Sequence, residues 1–217
     1  MAKILVADDH DLVRMGIVRM LSDVDGFEVV GEAKTGEDAV KLARELNPDV
    51  ILMDVKMPGM GGLEATRKIQ TACETAKVIA VTALSDEMFT DRIMKAGASG
   101  YVTKGAGFDE IEKAINAVLR GSLYMSSDIA QQLALKNFSG AKGEESPFEQ
   151  LSERELQTAI MIANGNKVNH IADSFCVSPK TVNSYRYRIF DKLNINSDVE
   201  LALLAVKYKL LDVENLS

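Results

Sequence analysis

The chain has 217 residues, with 25 Lys+Arg against 32 Asp+Glu, two His, two Cys and a net charge of −7. That length gives one or two domains whose cores need no covalent staples. Cys73 and Cys176 stand far apart, without the spacing of a zinc site or a disulfide framework, so a reducing compartment, the cytoplasm, is expected. No apolar run approaches the ~18 residues of a membrane span, and the chain enters a strand-like run at once, which sets membrane and secretory readings aside.

Residues 1–123 alternate short apolar runs with amphipathic stretches. The runs 3–7, 27–30, 50–53, 78–81 and 100–102 have the length and β-branched content of buried parallel strands. Helical segments lie between them: Thr35 caps one that Asn47-Pro48 stops near residue 46, 88–96 ends at Gly97, and 109–120 ends at Gly121. Five strands with five intervening helices predict an α/β doubly wound (βα)5 domain. Residues 124–138 read as a further helix, and the polar, Gly-containing stretch 139–147 as a linker. The predicted division is therefore 1–123, 124–147 and 148–217.

Beyond the linker the period is helical throughout. Ser152 and Glu155 form a capping box before 156–163, Gly165 closes that helix, and 168–175 forms a short one. Ser178-Pro179 opens a helix to about Leu193, and Ser197 with Glu200 reads as a second capping box before a helix to about Tyr208. Four helices, the middle pair short-turn-long, describe an all-α helix-turn-helix domain.

Ligands bind α/β sheets outside the carboxyl ends of the strands. Those ends deliver Asp8 and Asp9, Asp54, Thr82 and Lys104 to one rim. Three clustered carboxylates cannot all stay ionised unless a cation sits among them, and oxygen-only ligands with open water positions suit Mg²⁺. With Lys104 for an anion and Thr82 as a hydroxyl donor, the rim is equipped for phosphoryl transfer onto a carboxylate. His10 reads as a plain loop residue, and Met15, Met20, Met53, Met57 and Met60 as core packing.

Charge marks a second place. Residues 1–123 hold 15 basic and 20 acidic residues and 148–217 hold 8 and 9, yet 178–192 carries Lys180, Arg186, Arg188 and Lys192 against Asp191 alone. A basic stripe on an acidic protein meets an anion at one place. In that helix Val182, Ile189 and Leu193 recur at helical spacing and face inward, with Tyr185 or Phe190 alongside. Lys180, Thr181, Asn183, Ser184, Arg186, Tyr187 and Arg188 are the candidates for a DNA groove, where Asn can pair with adenine and Arg with guanine or phosphate. Arg186 and Arg188 are two apart, point to different sides of the helix and are not expected to do the same job.

On Asp8-Asp9, Met53-Asp54-Val55-Lys56-Met57-Pro58-Gly59, Thr82-Ala83 and Tyr101-Val102-Thr103-Lys104, the chain resembles the receiver domain of two-component response regulators over about residues 2–122. The resemblance implies Asp54 as phosphoacceptor. It also implies Mg²⁺ ligation by Asp9, Asp54 and the Lys56 carbonyl with Asp8 acting through water, and Thr82 and Tyr101 as a switch pair. Gly105 departs from the proline that many receivers carry after the lysine, which leaves the usual cis peptide there in doubt.

Leu151-Ser152-Glu153-Arg154-Glu155, Ile162-Ala163-Asn164-Gly165, Val177-Ser178-Pro179-Lys180-Thr181-Val182 and Lys192-Leu193-Asn194-Ile195 resemble the LuxR-type helix-turn-helix. Receiver plus this module is the NarL/FixJ class, and stretches such as Glu64-Ala65-Thr66-Arg67-Lys68 and 181–190 are similar to its GacA/UvrY subgroup. The resemblance implies a sensor (hybrid) histidine kinase or its phosphotransfer domain as donor, and a homodimer on promoter DNA paired through the last helix. It further implies promoters of small regulatory RNAs as targets and no enzyme activity beyond Mg²⁺-dependent self-phosphorylation and dephosphorylation. An aspartate-nucleophile phosphatase would need an acid where Lys56 stands. A constitutive DNA binder with an inert receiver would not keep Asp8, Asp9, Asp54, Thr82 and Lys104 together.

Overall fold

A computed structural model describes residues 1–82, 87–131, 146–208 and 210–211, with the side chains of 87 and 88 left aside. The chain divides into two compact units, Met1–Ala141 and Lys142–Ser217. The first holds β1 (Ala2–Ala7), α1 (Asp11–Ser22), β2 (Phe27–Ala33), α2 (Gly36–Leu46), β3 (Val50–Asp54) and α3 (Gly61–Ala72). It continues with β4 (Lys77–Thr82), α4 (Glu87–Lys95), β5 (Gly100–Thr103), α5 (Phe108–Leu119) and β6 (Tyr124–Met125).

All strands pair in parallel in the order β2-β1-β3-β4-β5-β6. Side chains alternate between the two faces of a strand, so each face of the sheet needs its own cover. Ile4, Val6, Leu52 and Ile79 pack against Ile17 and Leu21 of α1 and Ile111, Ile115 and Val118 of α5 on one face. Leu5, Ile51, Met53 and Val78 pack against α2 and α3 through Val40, Ala43, Ala65 and Ile69 on the other.

The sixth strand corrects the helix expected from residue 124. Tyr124 and Met125 pair with Gly100 and Tyr101, extending the sheet past residue 123. Beyond α5 the chain turns at Gly121 (φ 81°), and the free edge of β5 offers a ladder to the next extended residues. Helix begins only at residue 127; its expected course through 132–138, the expected linker residues 139–145 and Ala83 lie outside the described residues.

The second unit opens with a 3₁₀ turn (Pro147–Gln150), followed by α6 (Glu153–Ala163), α7 (Val168–Phe175), α8 (Pro179–Leu193) and α9 (Asp198–Lys207). The Ser152 hydroxyl accepts from the Glu155 N–H while Glu155 Oε2 accepts from the Ser152 N–H at 2.9 Å, a complete capping box. The second expected box closes differently. Ser197 accepts from the Glu200 N–H, but the Glu200 carboxylate reaches one residue further back, to the Asn196 N–H at 2.9 Å. Ser178 caps α8 with Pro179 in its first turn, and Phe148, Leu156, Ile162, Ile171, Phe175, Val182, Ile189 and Leu201 form the core between the helices.

Candidate functional site

Register places the receiver cluster. Ala7 pairs with Met53, so Asp8 and Asp9 emerge beside Asp54, and Thr82 pairs with Thr103, so Lys104 emerges beside Thr82. Asp8 and Asp54 are each 2 % exposed, Thr82 is fully buried, and the Lys104 side chain is 19 % exposed. Lys104 Nζ donates to Asp54 Oδ2 at 2.8 Å and lies 2.9 Å from Asp8 Oδ2. Asp54 Oδ1 accepts from the Lys56 N–H at 3.1 Å. The backbone is closely fitted below: a Cβ at Gly62 would stand 1.9 Å from the Asp54 carbonyl oxygen, so the second position of α3 admits only glycine.

Burial pushes the Asp54 carboxyl up from 3.8 to about 6, with Asp8 adding to the rise against the pull of Lys104 and the Lys56 N–H. Burial alone would lower Lys104, but the Asp54 and Asp8 charges outweigh it and hold the ammonium above its ordinary value. Ligand atoms of Asp8, Asp9, His10 and Asp54 all lie within 4.8 Å of one another. Asp9 Oδ1 and Asp8 Oδ2 are buried without a hydrogen bond of acceptable geometry. Oxygen atoms left in that condition fit a divalent cation held by carboxylates.

His10 stands in the loop before α1 as expected, and its Nδ1 lies 2.9 Å from Asp9 Oδ1 and 3.3 Å from Asp8 Oδ1. Met53, Met57 and Met60 are buried as expected, whereas Met15 turns outward at 61 % exposure. The Tyr101 ring is fully buried, and the Lys104-Gly105 peptide is trans. Arg14 escaped the sequence reading. Its Nη1 donates to the Asp8 carbonyl at 2.8 Å and its Nε to Glu32 at 3.0 Å, while Nη2 binds Asp11, so a buried guanidinium holds the loop that carries Asp8 and Asp9. Its place in line with Ile17 and Leu21 on the buried side of α1 was the available signal.

On α8, Val182, Ile189 and Leu193 are buried, and Lys180, Tyr187 and Arg188 are exposed. Two members of the basic stripe are engaged inside the domain. Arg186 donates to Asp198 through Nε (2.8 Å) and Nη2 (2.6 Å), and Lys192 Nζ binds buried Glu155 at 2.6 Å and the Gln150 carbonyl at 3.2 Å. The outward set is Lys180, Ser184, Tyr187 and Arg188, with Thr181 and Asn183 on its flanks and the Arg188 guanidinium 5.5 Å from the Tyr185 ring.

Both units match known families. The response regulator receiver domain matches residues 4–116, and the bacterial regulatory proteins of the luxR family match residues 149–205. The chain is a response regulator. The response regulator GacA of Pseudomonas aeruginosa is 60 % identical over 98 % of this chain and 99 % of its own. The response regulator UvrY of Escherichia coli is 52 % identical over 100 % of this chain and 99 % of its own. A crystal structure of a LuxR-family two-component response regulator from Aurantimonas aligns with a TM-score of 0.61 at 40 % identity, over 64 % of this chain and 99 % of that one. This response regulator therefore couples a receiver to a LuxR-type DNA-binding domain and belongs to a class that regulates transcription. Among the described residues no helix is long and apolar enough to cross a membrane.

Proposed function

We propose that a histidine kinase, or its phosphotransfer domain, phosphorylates Asp54 in the cytoplasm and thereby switches DNA binding by residues 148–217. The observation that carries this reading is the buried Asp54 carboxylate at the end of β3, bonded to Lys104 and gathered with the oxygens of Asp8 and Asp9 within 4.8 Å. An Asp54 oxygen attacks the phosphorus of a phosphohistidine; the P–O bond forms as the P–N bond breaks, and the imidazole leaves with its electron pair and takes a proton.

Asp9, Asp54 and the Lys56 carbonyl would hold Mg²⁺ directly, and Asp8 through water. Bound there, Mg²⁺ supplies positive charge against both the carboxylates and the phosphoryl oxygens. Lys104 moves from a carboxylate partner to a phosphoryl partner, because the new group brings about −1.5 to −2 charges and three acceptor oxygens. The Thr82 hydroxyl donates to the same group, and Tyr101, on the neighbouring strand, repacks with it.

Leu12 and Met15, 87 and 61 % exposed on α1 just past Asp8 and Asp9, give the donor an apolar landing surface beside the acceptor. On α9, Val199, Leu203 and Val206 are exposed at helical spacing, 69, 67 and 41 % respectively, and two copies pair through that stripe. The outward set of α8 then reads a two-fold site; promoters of small regulatory RNAs, which the GacA/UvrY resemblance implies, are the first DNA to try.

Incubation with labelled acetyl phosphate and Mg²⁺, followed by DNA titration, tests the reading. Wild type takes up acid-stable, base-labile label and binds DNA more tightly; Asp54→Asn takes up none and its binding does not respond. Undiminished label on Asp54→Asn would move the acceptor elsewhere.

A further inference from the structure

At 100° per residue, Arg186 falls inside the apolar stripe of α8, four residues after Val182 and three before Ile189. A cation on the inward side of a helix needs a partner there, and it has one. The Asp198 carboxylate accepts two hydrogen bonds from the guanidinium, at 2.8 and 2.6 Å, in the fork geometry that fixes both planes. The same guanidinium lies 5.3 Å from the Phe190 ring centroid. Asp198 is the first residue of α9, where a carboxylate also complements the helix dipole. The pair therefore ties the middle of α8 to the start of α9.

We propose that Arg186 is a positioning residue and not a DNA contact: its fork with Asp198 sets the angle between the reading helix and α9. This rests on the reading above, in which α8 enters the groove and α9 pairs two copies. In such a dimer the angle between α8 and α9 within each copy determines how the two reading helices are spaced. α8 has 15 residues. At 1.5 Å per residue, a tilt of ~10° about its midpoint moves each end by roughly 2 Å, more than half of the 3.4 Å base-pair step. The pair is half-exposed, with Asp198 at 45 %, so its effect on stability is small and its effect on geometry is the larger one. Arg188, two residues on, faces outward and is free to meet phosphate.

The test uses the full chain with acetyl phosphate and Mg²⁺. Wild type first selects duplexes from a randomised library. Binding is then measured on the selected site, on the same site with its halves moved apart by one base pair, and on an unrelated duplex, at several salt concentrations. The proteins are wild type, Arg186→Lys, Asp198→Asn, the exchange Arg186→Asp with Asp198→Arg, and Arg188→Ala.

Arg186→Lys and Asp198→Asn should each lose roughly tenfold of the preference for the correct spacing, about the effect of one mismatched base pair. Their salt slopes and affinity for unrelated DNA should stay within about twofold of wild type, as charge at the groove is unchanged. The exchanged pair should recover most of the spacing preference, which an arginine that touched DNA could not do from the other helix. Circular dichroism melts identify a variant that has unfolded, and the exchange then decides. Asp198→Asn behaving as wild type, while Arg186→Lys weakens all duplexes alike, would make Arg186 a phosphate contact and overturn the proposal. A wild-type chain that selects no two-fold site would overturn the underlying reading, and the clamp with it.

Discussion

The two halves of this protein use charge in opposite ways. In the receiver, Asp8, Asp54 and Lys104 converge from three strand ends into a space where each is less than one-fifth exposed, and one carboxyl is driven up to about 6. Nothing in the packing of the sheet requires them there. In the DNA-binding domain, Glu155 with Lys192 and Asp198 with Arg186 join pairs of helices, and each cation has its anion within 2.8 Å. The first arrangement stores unfavourable charge of the kind that a divalent cation would relieve. The second is already relieved and leaves only part of the basic stripe facing outward. Substitution therefore has opposite signs in the two halves: removing a carboxylate from the receiver site relaxes it, and removing one member of an ion pair from the helical domain breaks it.

The largest effect is the pH dependence of Asp54→Asn. The native pKa of Asp54, about 6, stands above its ordinary 3.8, so the native state keeps the proton to higher pH than the unfolded chain. The stability carried by that proton is present below about pH 4 and is lost as pH rises through about 6. An asparagine never makes that loss. Without Mg²⁺, Asp54→Asn should gain on wild type by on the order of 2 kcal/mol more at pH 7.5 than at pH 4, read from urea unfolding of the receiver. Parallel curves for the two proteins would mean that the site carries no stored charge.

Next comes Lys192→Met. Glu155 is buried and held below its ordinary value: burial raises it, and the hydrogen bonds of Lys192 and Ser152 more than compensate. That depressed pKa contributes stability above the unfolded value, lost as pH falls through the native one. Deleting the cation should cost about 1–2 kcal/mol at pH 7, less than for a fully buried pair because Lys192 is 38 % exposed. The loss should shrink as the solution is acidified. A melting temperature that does not move would mean that water already satisfies Glu155. Asp9→Ala sharpens the contrast from the other side: it should leave the receiver folded and weaken Mg²⁺ by about tenfold, or 1.4 kcal/mol, in a calorimetric titration.

Strand and helix placement was legible because buried parallel strands and capped helices leave dense local signals: β-branched runs, Asn47-Pro48, Ser152 with Glu155, Ser178-Pro179. The acidic rim was legible for a further reason, since the parallel topology alone carries Asp8, Asp54 and Lys104 to one edge. The two-residue strand at Tyr124 was not, because nothing in so short a stretch announces pairing with an edge that only the folded sheet provides. Arg14 and Arg186 send the same mixed signal. Each occupies a position in the apolar stripe of its helix, in line with Ile17 and Leu21 or with Val182 and Ile189, where its charge alone argues for the surface. Periodicity decides which way an arginine faces. Asp198 and Glu155, the partners of the basic stripe, are remote in sequence from their cations, and only the packed domain brings them together.

The smallest effect concerns the cations that remain. With Arg186 on Asp198 and Lys192 on Glu155, the stripe presents Lys180 and Arg188 outward. A phosphate contact acts through released counterions, so each one lost reduces the slope of log affinity against log salt by about 0.9. Arg188→Ala should therefore weaken cognate and scrambled duplexes alike, by a few-fold, and lower the slope by about one unit per copy bound. Lys180→Ala should do the same, and the double variant should sum the two, because both charges face water in the free protein and neither holds a helix in place. Lys192→Met belongs in the same titration. Its cation is committed to Glu155, so its slope should match wild type despite the loss of a positive charge from the stripe. A slope reduced as far by Lys192→Met as by Arg188→Ala would show that charge in this helix reaches DNA wherever it stands, and the division of labour between holding and reading would have to be given up.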